Sequence, residues 1–208
     1  MAEPKQERAV KTREAILHAA AEVFDECGYS GASISKIMNR AGVTQGGMYF
    51  HFKSKRALAQ AVMSSQQQFV RFPKGEDCLQ RLIDLTFHLA HELQNNVLVR
   101  ASIRLAVEQG EFGMQDDTVY QEWADQIHSY LRGARERGEL LPEVDEGEFA
   151  QVLVGAYSGT QLYSQISTGR VDLPERVAAL WHYLLPGITP PHVRSRLRIV
   201  PWEEGRAA

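Results

Sequence analysis

Apolar residues recur along most of this chain at spacings of three and four, the period of an α-helix with one buried face. Ile16, Ala20, Val23, Phe24 and Cys27 form the first stripe, which Gly28 is expected to stop. Ser33 is placed to cap a short helix through Met38 to Ala41, Gly42 to end it, and Thr44 to cap another short one. Ser54 can cap a longer helix carrying Leu58, Ala61, Val62 and Phe69, after which "RFPKGED" breaks the pattern at Pro73 and Gly75. Leu79, Leu82, Ile83, Thr86, Leu89, Ala90 and Leu93 make a long stripe, and a further helix is expected after Asn95–Asn96, up to Gly110. "EFGMQDD" reads as a loop. Val119, Trp123, Ile127, Tyr130, Leu131 and Ala134 make the next stripe, ended by Gly138, and "LLPEVDEGE" reads as a linker. Residues 147–168 are apolar or small on more than one face. Pro174 can open a helix with Val177, Leu180, Trp181 and Leu184 on one face, closed at Pro186–Gly187. No run alternates at the period of a strand and no internal repeat is found, so the predicted class is all-α.

The chain's 208 residues suffice for one domain with a large core or two smaller ones. No window is long and apolar enough for a transmembrane helix, and the polar stretch "MAEPKQERAVKTRE" is not read as a secretory signal. Cys27 and Cys78 fit no metal or redox spacing and read as free thiols in a reducing cytoplasm. The net charge of −3 hides an asymmetry. Between Cys27 and Gly75 there is no Asp or Glu, while Lys36, Arg40, Lys53, Lys55, Arg56, Arg71 and Lys74 all lie there. Either this is a solvated face, or it is the footprint of a polyanion-binding surface on an acidic protein.

Within that section, "GVTQGGMYFHFKSK" gives the second reading its shape. A short helix, a Gly42 turn and a second short helix from Thr44 form a helix-turn-helix, whose second helix enters the major groove by its N-terminal residues. Gly46 and Gly47 each cost roughly 1 kcal/mol of helix propensity against Ala. A helix without Cβ atoms there can approach bases or sugar-phosphate closely; a glycine-rich turn with no partner is the alternative. Tyr49 and His51 offer O–H and N–H donors to phosphate, or are a partly buried ring and a surface histidine. Phe50 and Phe52 alternate with them and are expected in the core. Lys55 lies in the first turn of the helix capped by Ser54, where an ammonium strengthens a phosphate site.

The stretch from Thr12 to Leu58 resembles the N-terminal DNA-binding domain of the TetR family of bacterial regulators. The matching pieces are Phe24 with Gly28–Tyr29, Ser33 to Ile37, Ala41 to Thr44, and Gly47 with Tyr49, His51–Phe52 and Lys55. The resemblance implies a three-helix helix-turn-helix domain over 1–56 and a larger helical ligand-binding and dimerisation domain over 57–208. It implies that Thr44, Gln45, Gly46, Gly47, Tyr49, His51 and Lys55 contact DNA, with Ser33 and Lys36 near phosphates. It also implies a cytoplasmic homodimeric repressor that releases double-stranded operator DNA when a small molecule binds, needing no cofactor. "LTFHLA", "LVRASIRLAVEQG" and Trp123 are similar to the γ-butyrolactone receptors of streptomycetes, which control antibiotic production and answer to lactone or furan signals. At Gln45 related receptors often carry Lys, so altered operator preference or one fewer phosphate contact is expected.

Trp123 reads as inward-facing, its indole N–H meeting a ligand carbonyl or a backbone carbonyl. By the resemblance, Gln66, Trp123 and Thr160 line a ligand pocket, with Tyr157, Tyr163, Phe87 and Phe112 as secondary candidates. On periodicity alone Gln66 and Thr160 are packing or solvated surface. The inferred pocket is mostly apolar, suited to a small uncharged or singly charged amphiphile. Residues 147–185, with Gly155, Ala156, Ser158 and Gly159, read as a subunit interface to which Trp181 and Leu184 add area. The helix from Ser54 to Phe69 is expected to connect the two halves, so that a ligand preferring one tilt alters the spacing of the recognition helices. Rival readings are an enzyme using His88, His91 and Glu92, for which no third metal ligand is evident, a ligand-independent DNA-binding protein, and a drug or fatty-acid sensor of the same family. "GAYSGT" departs from the nucleophile-elbow pattern.

Overall fold

The computed structural model describes the backbone of residues 5–69 and 78–200, and the side chains of 6–65 and 78–200. Ten α-helices are found among them: α1 (Lys5–Gly31), α2 (Ile34–Ala41), α3 (Gln45–His51), α4 (Lys55–Phe69), α5 (Leu79–Asn95), α6 (Val97–Val107), α7 (Thr118–Glu136), α8 (Glu146–Thr168), α9 (Leu173–Leu184) and α10 (Pro191–Arg194). Short 3-10 turns follow α6 at Gln109–Phe112 and α9 at Leu185–Gly187. No strand occurs among the described residues, so the class is all-α.

The caps explain the boundaries. Ser33 Oγ accepts from the Lys36 N–H, Thr44 Oγ1 from the Gly47 N–H and Ser54 Oγ from the Ala57 N–H, each satisfying a donor that the first turn leaves open. Gly42, at φ 64°, ends α2 in the left-handed conformation, and the Val43 N–H reaches back to the Met38 carbonyl. Gly28 interrupts α1 at φ 69°, ψ −179°, but a further helical turn runs on to Gly31.

Two compact units emerge. The first contains α1–α4 with α6 and the 3-10 turn after it, over residues 5–69 and 95–116. Its core is Ile16, Ala20, Val23, Phe24, Ile37, Met48, Leu58, Val62, Val99 and Leu105, all essentially solvent-free. The second contains α5 and α7–α10. There α5 buries residues on nearly every side, while α8 buries one stripe: Ala150, Leu153, Tyr157, Gln161 and Ser164. Threaded through that apolar core is a polar junction on Thr86. Its hydroxyl donates to the Ile83 carbonyl (2.7 Å) and accepts from Trp181 Nε1 (2.7 Å), and its carbonyl accepts from the Tyr157 hydroxyl (3.1 Å). One residue of α5 thus ties α8 and α9 to itself and leaves no polar atom of the trio unmet.

Two expectations are corrected. Trp181 belongs to the interior of its own chain, bonded to Thr86, and adds no area to a subunit interface. Phe50 is 72% exposed and not in the core; Phe52 alone is buried. In a helix, a residue two places from the buried Met48 turns about 160° away from it.

Candidate nucleic-acid interface and ligand site

The turn between α2 and α3 is three residues long, held by the Gly42 conformation and the Thr44 cap, so α3 leaves the first unit's core at a defined angle. Met48 anchors α3 from beneath, with no exposed surface. On its open side lie Thr44, Gln45, Gly46, Tyr49 and Phe50, all exposed, with Gly47 and His51 half-buried at its edges. A Cβ built on Gly46 would meet nothing within 4 Å, and one on Gly47 would make ordinary contact with Thr44 Oγ1 at 3.5 Å. No packing inside the chain therefore requires glycine at either place. The propensity cost, up to roughly 1 kcal/mol per residue, is not offset by any close approach within the chain.

The cations around this face are less free than their number implies. Arg40 forms a two-pronged pair with Glu26 (2.6 and 3.0 Å) and lies 3.6 Å from Glu22. The hydrogen bond to Arg40 holds the Glu26 carboxyl below its ordinary range and raises the guanidinium in turn. Lys36 donates to the Gly31 carbonyl and Lys53 to the Tyr49 carbonyl. Lys55, expected as a phosphate ligand, donates to the carbonyls of Tyr29 (2.8 Å) and Ala32 (2.9 Å) and sits 4.2 Å over the Tyr29 ring. It thus serves the end of α1, satisfying carbonyls that the helix leaves open, and keeps one N–H for a further acceptor. Ser33 and Lys36 are exposed at the start of α2, and the Ser33 hydroxyl oxygen is occupied by its cap.

The expected ligand residues are placed as follows. Phe87 and Tyr157 are buried in the second unit's core. Burial pushes the Tyr157 phenol well above its ordinary value, so it stays protonated and donates to the Thr86 carbonyl. Thr160 is half-exposed, and its hydroxyl donates to the Ala156 carbonyl one turn back along α8. Trp123 is half-buried rather than fully inward. Tyr163 lies exposed beneath Arg176, whose Cζ is 4.2 Å from the ring centroid. Phe112 packs instead against Tyr29 in the first unit, with centroids 4.3 Å apart. The side chain of Gln66 lies outside the described residues. The sequence reading missed the junction on Thr86; its one signal was a hydroxyl residue in the middle of an otherwise apolar stripe.

An exposed apolar line runs down α8 and onto α9. Val152, Leu162, Tyr163 and Ile166 (76% exposed) lie on α8, Val171 in the turn and Tyr183 (80%) on α9. Gly155 and Gly159 sit among the α8 residues, and a Cβ on either would meet nothing in the chain. Among the described residues no helix is long and apolar enough to cross a membrane.

Comparison with known proteins places this geometry. The family model described as bacterial regulatory proteins, tetR family, matches residues 16–62, and a tetracyclin repressor-like C-terminal domain model matches residues 76–190. The A-factor receptor protein of Streptomyces griseus is 41% identical over 194 residues, 93% of this chain and 70% of that protein. The crystal structure of full-length TylP, a tetR regulator from Streptomyces fradiae, superposes with a TM-score of 0.82 at 43% identity, covering 92% of this chain and 93% of that one. A crystal structure of a gamma-butyrolactone receptor, an ArpA-like protein, has a TM-score of 0.74 at 32% identity over 91% of this chain and 94% of that one.

Proposed function

The chain belongs to the tetR family of bacterial regulatory proteins, and on that premise we propose that it is a homodimeric transcriptional repressor of the γ-butyrolactone-receptor type. It binds operator DNA through α2 and α3 and releases it when a small lactone or furan signal occupies the second unit. Its targets are genes of antibiotic or other secondary-metabolite production. The observation that carries the DNA reading is the open side of α3. Two glycines there have no packing reason inside the chain, and they lie in a stretch from Cys27 to Gly75 free of carboxylates. Gln45, Tyr49 and His51, with the backbone at Gly46 and Gly47, supply the donors and the close approach. Thr44, Ser33, Lys36 and the remaining N–H of Lys55 face the flanking phosphates. The lactone class rests on what the relatives are: an A-factor receptor and a gamma-butyrolactone receptor.

The exposed line on α8 and α9 supports the dimer. Isoleucine, leucine and tyrosine side chains left in water gain about 25 cal/mol per Å2 when covered, and Gly155 and Gly159 let a second copy come close. A two-fold dimer matches a two-fold operator, whose half-sites lie about 34–36 Å apart or a multiple of that. An inducer works by preferring a conformer in which the two α3 helices miss that spacing. A hundredfold loss of operator affinity needs about 2.7 kcal/mol of coupling. Phe87, Trp123, Tyr157 and Thr160 of the second unit are the residues proposed to meet the ligand. Such a regulator works in the cytoplasm, where the chromosome is.

The test is a mobility-shift titration of purified protein against the DNA upstream of its own gene, at several salt concentrations. Binding whose log affinity falls steeply with log salt is expected, and a γ-butyrolactone or furan panel is expected to abolish it. Release by fatty acids or cationic drugs alone would move the sensor to another ligand class. No salt-sensitive binding to any fragment of the native genome would sink the repressor reading.

A further inference from the structure

Phe50 is a large apolar side chain in an unusual position. It lies in the last turn of α3, next to the final residue His51, 72% open to solvent and one turn beyond Gly46. Both residues are two places from the fully buried Met48, so both point about 160° away from the core. Gly46 and Phe50 therefore form the outermost line of α3, with Gln45 and Tyr49 on one flank. The His51 ring meets the Phe50 ring edge-on, centroids 5.0 Å apart and planes at 87°, a favourable aromatic geometry that holds the phenyl group in place before any partner arrives.

We propose that Phe50 reads operator sequence by packing against the C5-methyl group of thymine in the major groove. This rests on the reading that α3 enters that groove. A phenyl ring has no donor or acceptor, so it cannot satisfy a phosphate or the nitrogen and oxygen pattern of a base edge. The one apolar group that base pairs present in the major groove is the thymine methyl. The absent side chain at Gly46 lets the helix sit deep enough for the ring one turn later to reach it. Specificity at that base step then comes from an apolar contact, in a receptor whose Gln45 has no formal charge to offer a neighbouring guanine or phosphate.

The experiment begins with the duplex that wild-type protein recovers from a randomised double-stranded pool. Each thymine of that duplex is replaced in turn by deoxyuridine, which removes the methyl group and nothing else. Affinities are read by fluorescence anisotropy at one salt concentration for wild type, Phe50→Ala and Phe50→Leu. At one symmetry-related pair of thymines, loss of the methyls is expected to weaken wild type about fourfold per half-site, ~15-fold for both. Phe50→Ala is expected to bind the thymine duplex that much more weakly and to treat thymine and uracil alike at that pair. Phe50→Leu keeps an apolar tip and retains the preference. Because the side chain is exposed, both variants are expected to keep the wild-type circular dichroism spectrum. If Phe50→Ala keeps the wild-type thymine-to-uracil ratio at every position, or binds as tightly as wild type, Phe50 reads nothing and groove entry by α3 stands. If Phe50→Ala changes self-association and leaves DNA affinity unchanged, the ring is a protein contact and the proposal fails. If wild type recovers no duplex, the groove reading fails with it.

Discussion

Replacing Gly28 by Ala is expected to cost the first unit about 2–4 kcal/mol, from two sources that can be separated. At φ 69°, ψ −179° the residue occupies a region that is essentially glycine-only, and forcing a side chain there costs of order 1–3 kcal/mol. The new Cβ would also lie 2.8 Å from Arg104 Nη2 and 2.9 Å from both Glu108 carboxylate oxygens. Those atoms are not idle. Arg104 Nε donates to Glu108 (2.7 Å), its Nη1 donates to the Asp25 carbonyl (2.6 Å), and Glu108 accepts the Tyr29 N–H (2.7 Å). Hydrogen bonds to charged groups contribute about 1.5–3 kcal/mol each when buried. Arg104 is over a third exposed, so water replaces much of what it loses, and about 1 kcal/mol remains for the displaced clasp. Urea unfolding followed by circular dichroism measures the sum as a lower midpoint at unchanged slope. Repeating Gly28→Ala in an Arg104→Ala, Glu108→Ala background removes all three atoms that crowd the new Cβ and leaves the backbone strain, so the penalty should shrink by about 1 kcal/mol without vanishing. A wild-type midpoint for Gly28→Ala would mean that neither strain nor clash is present at this position.

Gly46→Ala is expected to act in opposite directions on stability and binding. With nothing near its Cβ it should stabilise the protein by up to about 1 kcal/mol in urea unfolding, yet weaken operator binding in anisotropy; a gain in both would mean that α3 does not approach DNA closely. Thr86→Val leaves the Trp181 and Tyr157 side chains in place but removes the acceptor of the buried indole N–H, at a cost of about 1–3 kcal/mol. Trp181→Phe costs stability by itself through the cavity it opens, but together with Thr86→Val it should cost less than the sum of the two, and strict additivity by thermal melting would contradict the junction. Asp172 accepts from Ser164 Oγ, Thr168 Oγ1 and Arg176 Nε, and the Ser164 hydrogen bond is the largest of the influences holding its carboxyl below the ordinary value. Its contribution to stability is therefore complete above about pH 4 and drains as pH falls through the depressed folded value. Asp172→Asn should flatten the acid side of the stability–pH curve while leaving its shape above that range, and an unchanged acid limb would count against the assignment.

Local chemistry was legible in the sequence and distant chemistry was not. Ser33, Gly42, Thr44 and Ser54 mark their helix ends through bonds to residues within a few positions, so the α2–α3 turn could be placed by reading. Gly28 was legible as a break, but its reason lies in Arg104 and Glu108, 76 and 80 positions away by residue number. Phe50 was misplaced because alternation with Tyr49 and His51 is a strand's argument, and on a helix the inward partner of Phe52 is Met48. A buried stripe cannot say whether its cover is the same chain or a second copy, which is why Trp181 was assigned to an interface and found in the core. Lys55 shows the same limit for charge: its position pointed to phosphate, while the acceptors it uses belong to residues 29 and 32.

The placement of α6 bears on how a signal could reach α3. The helix from Ser54 to Phe69 is the expected connector; within the first unit, the end of α1, just ahead of the helix-turn-helix, is also bonded repeatedly to α6 and the turn beyond it. Arg100 pairs with Asp25 (2.8 Å), Arg104 holds the Asp25 carbonyl, Glu108 holds the Tyr29 N–H and Glu111 accepts from Ser30 (2.6 Å). Tyr29 is gripped further, between Phe24 and Phe112 with Lys55 of α4 above its ring. Packed elements of this kind switch between discrete arrangements more readily than they deform. A shift of α6 by even a fraction of a turn must therefore carry the end of α1, and with it the start of α2, or break charged hydrogen bonds on the way. Within the first unit, α1, α4 and α6 are thus packed and bonded as one network, with Lys55 of α4 joined to the end of α1 and α4 itself packed on α6.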